Sequence, residues 1–196
     1  MQVTRTSPLS RAAMLIGLVV LVALAAAPWW AGRAELRLFG EMFLYMALAT
    51  LWNLLAGYAG LVSVGQQAYV GLGGYAFFAL TMLFGVPVYL ALPLAALGGA
   101  IVAAPVAALI FRLRGAYFAI GTWVISEVFR LIAAQTPALG GGSGTSLPAG
   151  IVKTLAASRD GREAAAYWLA LGVMALVLGA AFAVLRSRQG IALTAI

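Results

Sequence analysis

The 196-residue sequence is 64% hydrophobic and only 9% charged, and this composition cannot cover the water-facing surface of a soluble domain. Its formal net charge of +7 comes from basic residues scattered between apolar runs, a pattern typical of membrane topology signals that excludes a nucleic-acid-binding face. Cysteine and histidine are absent, so disulfides, thiolate chemistry and the commonest general base and metal ligand are excluded. We therefore expect an integral membrane protein with no cofactor, no bound metal and no catalytic site.

The first apolar run, Ala12–Trp30, follows a basic tail formed by residues 1–11. Its ALAAA segment, Ala23–Ala27, resembles the small-residue cleavage site of a signal peptide, so removal of this run is one interpretation. The pair Trp29 and Trp30 is typical of an aromatic anchor at the membrane surface. For that reason we favour a retained transmembrane helix.

A second span is predicted at Phe39–Ala56, after a short loop at Gly32–Arg37, and apolar character then continues through Phe84. Three more spans are predicted at Val88–Phe111, Tyr117–Ala134 and Ala164–Leu185. A Gly/Ser/Pro-rich segment, residues 135–163, separates the last two. The sequence thus predicts an all-α polytopic membrane protein with about six transmembrane helices.

Six crossings place the N-terminus, the Arg112–Gly115 turn and the arginines Arg186 and Arg188 on one side of the membrane. The other side receives a similar number of basic residues, but several of those lie in the long 135–163 segment, where charge has less influence on topology. We therefore predict a cytoplasmic N-terminus in the inner membrane and an external 135–163 loop.

The stretch Gly57–Gly74 contains six glycines inside an otherwise apolar region. Irregular backbone is tolerated at membrane depth only where it is buried in protein or lines a cavity, and transporters use such interruptions to bind substrate. We expect a broken or re-entrant helix here that lines a substrate pathway. The alternative is that the glycines permit close helix packing. The predicted pathway residues in this stretch are Ser63, Gly65, Gln66, Gln67 and Gly71.

Glu127 and Arg130 are three residues apart in a predicted span, so they can form an ion pair on one helix face. One interpretation is a structural pair near the outer end of the helix. The other places Glu127 along the substrate pathway, because charged residues inside membrane segments are often functional. The loop Gly140–Ser146 is rich in glycine but lacks the lysine of a phosphate-binding loop, so ATP binding is not expected.

Three segments carry a resemblance to a known family: WNLLAGYAGLVSVGQQAYVGLGGY at Trp52–Tyr75, RLRGAYFAIGTWVISEVFRL at Arg112–Leu131 and SRQGIALTAI at Ser187–Ile196. In this order they resemble signatures of the permeases of bacterial branched-chain amino-acid ABC importers, of the LivM type. The external loop departs from the family pattern, with Leu139 where threonine is usual.

This resemblance implies a permease subunit that pairs with a homologous permease, two cytoplasmic ATPases and a periplasmic substrate-binding protein, all in contact with membrane lipid. It implies that ATP hydrolysis takes place in the partner subunits. Residues 186–196 would begin a cytoplasmic coupling segment, with Gly190, Ala192 and Ile196 facing an ATPase. Because members of the family are longer, we expect residues 1–196 to be the N-terminal portion of a single transmembrane permease domain.

The resemblance implies transport of branched-chain or other hydrophobic amino acids, and urea or short amides are alternatives within the same permease type. An ion-coupled secondary carrier is a rival from another class, but it requires a deep titratable residue and only Glu127 qualifies. An intramembrane enzyme is a further rival, yet the sequence offers no histidine or cysteine to act as base or nucleophile.

Overall fold

The computed structural model describes residues 8–156 and 158–187, and all regular structure within these residues is helical. The prediction of an all-α protein is confirmed. Short 3₁₀ turns occur at Ala27–Trp29, Pro137–Leu139 and Gly141–Ser143. The α-helices are α1 (Pro8–Ala25), α2 (Arg33–Asn53), α3 (Gln66–Met82), α4 (Val88–Ile110), α5 (Ala116–Ala134), α6 (Ala149–Leu155) and α7 (Arg159–Arg186).

Four helical segments in the described residues are long and apolar enough to cross a membrane: Arg33–Tyr58, Val88–Ile110, Ala116–Ala134 and Arg159–Arg186. A fifth apolar segment, Leu15–Trp29, is shorter. Helix α3 has 17 residues and therefore extends about 25 Å, somewhat less than the roughly 30 Å of a hydrocarbon core. The polytopic class is confirmed, with four of the six predicted spans meeting the length criterion.

The predicted loop at Gly32–Arg37 is wrong, because α2 already begins at Arg33. Gly32 has the extended backbone of an N-cap residue, and Glu35 in the first turn interacts favourably with the positive end of the helix dipole. Leu36 in the next position is buried in the hydrophobic core. Hydropathy alone could not detect the first turn of α2, because that turn is charged and lies outside the apolar run.

Helix α7 also begins earlier than the predicted span, at Arg159 instead of Ala164. The Ser158 side chain caps it by accepting a 3.0 Å hydrogen bond from the backbone N–H of Gly161. The preceding segment contains the short helix α6. Part of the predicted external loop is therefore ordered as helix.

Helices α2 and α7 form one packed unit, here called the α2–α7 unit, and the end of α1 is attached to it. Phe43 and Tyr167 meet with ring centroids 5.5 Å apart, in a core that includes Met174. The Tyr167 hydroxyl donates a 2.7 Å hydrogen bond to the carbonyl of Leu24, and Trp168 Nε1 donates a 3.1 Å bond to Ala25. These bonds attach the end of α1 to the beginning of α7.

Helices α3, α4 and α5 form a second unit, here called the α3–α5 unit. Helix α3 packs against both α4 and α5, and Tyr69 meets Phe129 edge-on with centroids 5.8 Å apart. Phe118 is buried and stacks on Phe111 at 5.9 Å. Helix α4 continues through its two internal prolines as one helix.

Hydrogen bonds place the first turns of α2, α4 and α7 at one end of the molecule. Arg33 in the first turn of α2 donates to Asp160 in the first turn of α7. The Tyr89 hydroxyl in the first turn of α4 donates a 2.7 Å bond to Leu155 at the end of α6, shortly before α7 begins. The Arg112–Gly115 turn and the end of α7 at Arg186 consequently lie at the opposite end. The side of the membrane that each end faces stays a prediction.

Candidate functional site

The chain between α2 and α3 leaves regular helical structure in the first half of the glycine-rich stretch. Helix α2 passes into a π-helical turn, Leu54–Tyr58, and residues 59–65 are not helical. Single π-turns inside helices are often found at functional sites. Gly60 has φ +65°, a left-handed backbone that residues with a side chain rarely adopt, so glycine is required at this position.

The predicted break, Gly57–Gly74, is longer than the observed one. Gly71, Gly73 and Gly74 lie inside α3, where a helix interior tolerates glycine at a cost of about 1 kcal/mol each. Among the residues that the structure describes, no heavy atom outside their own helix backbone lies within 4 Å of the position where a Cβ would stand on these three glycines. In this part of the chain they therefore neither interrupt the helix nor permit a close helix contact.

The break segment, residues 59–65, is attached to α5 through Thr122. The backbone N–H of Val64 donates a 3.1 Å hydrogen bond to the Thr122 hydroxyl. Gly65 is buried, and a Cβ on Gly65 would collide with the carbonyl oxygen of Thr122. The break segment thus lies directly against the α5 backbone, and only glycine allows this approach.

The other side of the break segment is attached to α2. Trp52 Nε1 donates a 3.0 Å hydrogen bond to the carbonyl of Ser63, and the N–H of Leu61 donates a 3.0 Å bond to the carbonyl of Leu55. Within the segment, the N–H of Gly65 donates to the Ser63 hydroxyl at 3.3 Å. These bonds satisfy backbone groups that a break in apolar surroundings would otherwise leave unpaired.

A pocket of about 110 Å³ opens beside the break segment, well above the roughly 10–15 Å³ that one water molecule needs. Three side chains with polar groups, those of Ser63, Tyr69 and Thr122, contribute to its lining together with Gly65. The rest of the lining is aliphatic or aromatic: Leu55, Val106, Ile110, Phe111, Phe118 and Ile125. The pocket can therefore take an apolar group and offer hydrogen bonds at one side.

The predicted pathway residues in the glycine-rich stretch are only partly brought together. Ser63 and Gly65 line the pocket. Gln66 is half-buried and Gln67 exposed in the first turn of α3, next to the break. Gly71 is exposed further along the same helix. The predicted coupling residues Gly190, Ala192 and Ile196 lie outside the described residues.

Glu127 lies away from this pocket. Five residues at about 100° each separate it from Thr122, so the two side chains leave α5 about 140° apart. The predicted pair with Arg130 is confirmed, with Arg130 Nε donating a 2.9 Å hydrogen bond to Glu127 Oε2. Both side chains are substantially exposed, 43% for Glu127 and 64% for Arg130. In this chain Glu127 is therefore part of a surface ion pair.

Thr122 and Tyr69 are site residues that the sequence analysis did not single out. Thr122 lies within a predicted span, and a hydroxyl in an apolar helix is a usable signal because polar groups in membranes need partners. Its bond to Val64 could not be predicted, since the two residues are 58 positions apart in the chain. Tyr69 is unremarkable in sequence because aromatic residues are common in such spans.

Comparison with known protein families gives one match that covers most of the chain. Residues 34–196 match the family described as branched-chain amino acid transport system / permease component. The chain belongs to this family. The match includes the break segment, the pocket and every predicted pathway residue.

Two curated relatives show the same affiliation. The high-affinity branched-chain amino acid transport system permease protein LivM of Escherichia coli K12 is 32% identical over 149 residues, or 74% of this chain and 35% of that protein. The protein of the same name from Salmonella typhimurium LT2 is 30% identical over 148 residues, with the same coverage. The alignment spans about a third of the length of these relatives. No solved structure matches the chain.

Family membership and the long apolar helices together define the general class. The chain is a multi-pass inner-membrane protein, and it is a permease component and not an enzyme. Among the described residues, no group of three or more acidic side chains is placed to hold a metal ion.

Proposed function

We propose that the chain forms part of the membrane permease of an ABC importer for branched-chain or other hydrophobic amino acids. Two observations support the substrate class: the names of its relatives and the largely apolar lining of the pocket. In this proposal a homologous permease, two cytoplasmic ATPases and a periplasmic binding protein complete the transporter. This family consists of membrane components, so in this proposal ATP hydrolysis by the ATPase subunits supplies the energy.

The observation that carries the proposal is the non-helical break segment beside an apolar pocket in the α3–α5 unit. Substrate would pass along residues 59–65, with its aliphatic side chain against residues such as Ile110 and Ile125. Ser63, Gln66 and Gln67 would offer hydrogen bonds to its polar groups. Irregular backbone at membrane depth favours this location because it is tolerated where it lines a cavity.

The proposed orientation has the N-terminus in the cytoplasm. The Arg112–Gly115 turn and Arg186 lie at one end of the molecule, and their short, basic character favours the cytoplasmic side. Residues 135–158 would then face the periplasm and the binding protein. The chain after Ser187, with Gly190, Ala192 and Ile196, would contribute to the contact with an ATPase.

The rival functions are less well supported. An ion-coupled carrier needs a titratable group at the pathway, but Glu127 projects from α5 well away from the pocket and is paired with Arg130. Urea has no alkyl group and short amides have only a small one, so the predominantly apolar lining favours a hydrophobic amino acid over them.

Uptake of radiolabelled leucine by membrane vesicles that contain the complete transporter tests the proposal. Uptake should require ATP and the binding protein and should persist when a protonophore collapses the proton gradient. An excess of unlabelled isoleucine should compete, whereas urea should not. Uptake that follows the proton gradient and ignores ATP would contradict the assignment to ABC import.

A further inference from the structure

We infer that Thr122 is a positioning residue that holds the break segment against α5. Only the expected effect of Thr122 variants on transport rests on the proposed function. The contact itself is a structural claim that can be tested without any transport assay.

The hydroxyl of Thr122 has two hydrogen-bond partners. It donates a 2.8 Å bond to the carbonyl of Ala119, one helical turn earlier, and it accepts the 3.1 Å bond from the N–H of Val64. The first bond uses the only hydroxyl proton, so the oxygen is left as an acceptor toward the break segment. The bond to Ala119 therefore leaves the Thr122 hydroxyl oxygen free to act only as an acceptor for another chain segment.

The backbone of Thr122 reinforces this contact from the same position on α5. Its carbonyl oxygen lies so close to Gly65 that a Cβ on that glycine would collide with it. Two consecutive residues of the break segment, Val64 and Gly65, are thus positioned by one residue of α5. The Thr122 side chain is also part of the pocket lining.

Loss of the hydroxyl would leave the N–H of Val64 without this acceptor in largely apolar surroundings. An unpaired backbone N–H is costly there, so the segment should move to find another acceptor or water. Such movement would displace Ser63, the neighbouring polar residue of the pocket. Thr122 would accordingly affect the geometry of the pathway through the break segment.

Ser126, one turn further along α5, provides a matched control. Its hydroxyl donates a 2.7 Å bond to the carbonyl of Trp123, which is the same type of local bond that Thr122 makes with Ala119. Ser126 does not line the pocket. Removal of its hydroxyl therefore reproduces the local change in the helix without the change at the break segment.

Hydrogen–deuterium exchange of the whole chain in lipid nanodiscs tests the inference directly. Thr122→Val should increase amide exchange in peptides covering residues 59–65 about three- to tenfold, the effect of losing one net hydrogen bond. Thr122→Ser, which retains the hydroxyl, should exchange like the parent, and Ser126→Ala should as well. Thr122→Ala provides the same test if the valine variant does not accumulate in the membrane.

Unchanged exchange in both Thr122→Val and Thr122→Ala would overturn the inference, as would an equal increase in Ser126→Ala. With the complete transporter, Thr122→Val should also raise the KM for leucine uptake, and Thr122→Ser should restore it. If even the parent transporter takes up no leucine, the proposed function fails, whereas the exchange result still decides the role of Thr122.

Discussion

The α2–α7 unit and the α3–α5 unit consist of similarly apolar helices, but they differ in how completely the chain packs against itself. In the first unit, Phe43 and Tyr167 lie in a continuous core. In the second, a pocket opens beside buried Phe118, and the backbone leaves helical structure at the break segment. The first unit is thus held by continuous packing, whereas the second contains an irregular segment beside an open pocket.

The side-chain hydrogen bonds of the two regions also differ in what they hold in place. In the α2–α7 unit, tyrosine and tryptophan side chains bond to backbone carbonyls and join the ends of regular helices. At the break segment, comparable bonds from Trp52 of α2 and to Thr122 of α5 hold a segment without regular structure. A segment held by a few individual bonds opens at a lower free-energy cost than a packed helix.

Substitution of the central core residue should have the largest effect on stability. Tyr167→Ala removes a ring that is only 2% exposed, its contact with Phe43 and its bond to Leu24. We expect a loss of roughly 3–5 kcal/mol in the free energy of unfolding, the usual cost of removing a buried aromatic side chain. Thermal denaturation of the purified protein in detergent measures this loss. Tyr117→Ala is the control, because that side chain is 74% exposed, and an equally large loss there would contradict the assignment of the core.

At the break segment, a single methyl group should impair transport more than stability. Gly65→Ala places a Cβ against the Thr122 carbonyl, so the segment must move away from α5. Leucine uptake by the complete transporter should fall about tenfold or more, as expected for a displaced binding geometry, while the amount of protein in the membrane changes little. Gly71→Ala is the matched control, since open space surrounds that position. Equal uptake by the two variants would show that the close approach is not needed.

A smaller effect is expected at the other attachment of the break segment. Trp52→Phe retains an aromatic ring but removes the Nε1–H that bonds to the Ser63 carbonyl. The loss of one hydrogen bond is about 1 kcal/mol, so uptake should fall by roughly fivefold or less. Trp30→Phe is a suitable comparison, because Trp30 is 66% exposed and lies in the connection between α1 and α2, away from the break segment. An equal or larger defect in Trp30→Phe would contradict the role assigned to the Trp52 bond.

Hydropathy predicted the α-helical class and the approximate position of the spans, because long apolar runs are a direct consequence of bilayer thickness. It failed at Arg33 and Arg159, where α2 and α7 begin in charged turns that are stabilised by the helix dipole, by a serine cap and by packing of Leu36. Those stabilising effects depend on neighbouring residues and do not appear in a window average.

The candidate site was only partly predicted, because some of its features depend on contacts between residues that are distant in the sequence. Glycine content indicated the break, and Ser63 and Gly65 do line the pocket. Glycine content alone could not separate Gly60, which has a positive φ, from Gly71, which is helical. The role of Thr122 depends on a contact between distant parts of the chain, and the position of Glu127 depends on which face of α5 packs against α3.

Accessibility of the break segment to water is the most direct test of the proposed pathway. The chain contains no cysteine, so single cysteines introduced at Ser63, Gln66 and Gln67 give no background from this subunit. In the assembled transporter they should react with a small water-soluble thiol reagent, and substrate with its binding protein should change the rates. A cysteine at the apolar position Leu80, inside α3, should remain unreactive. If the three polar positions are as unreactive as this control, the break segment does not line an aqueous pathway, and the central claim is wrong.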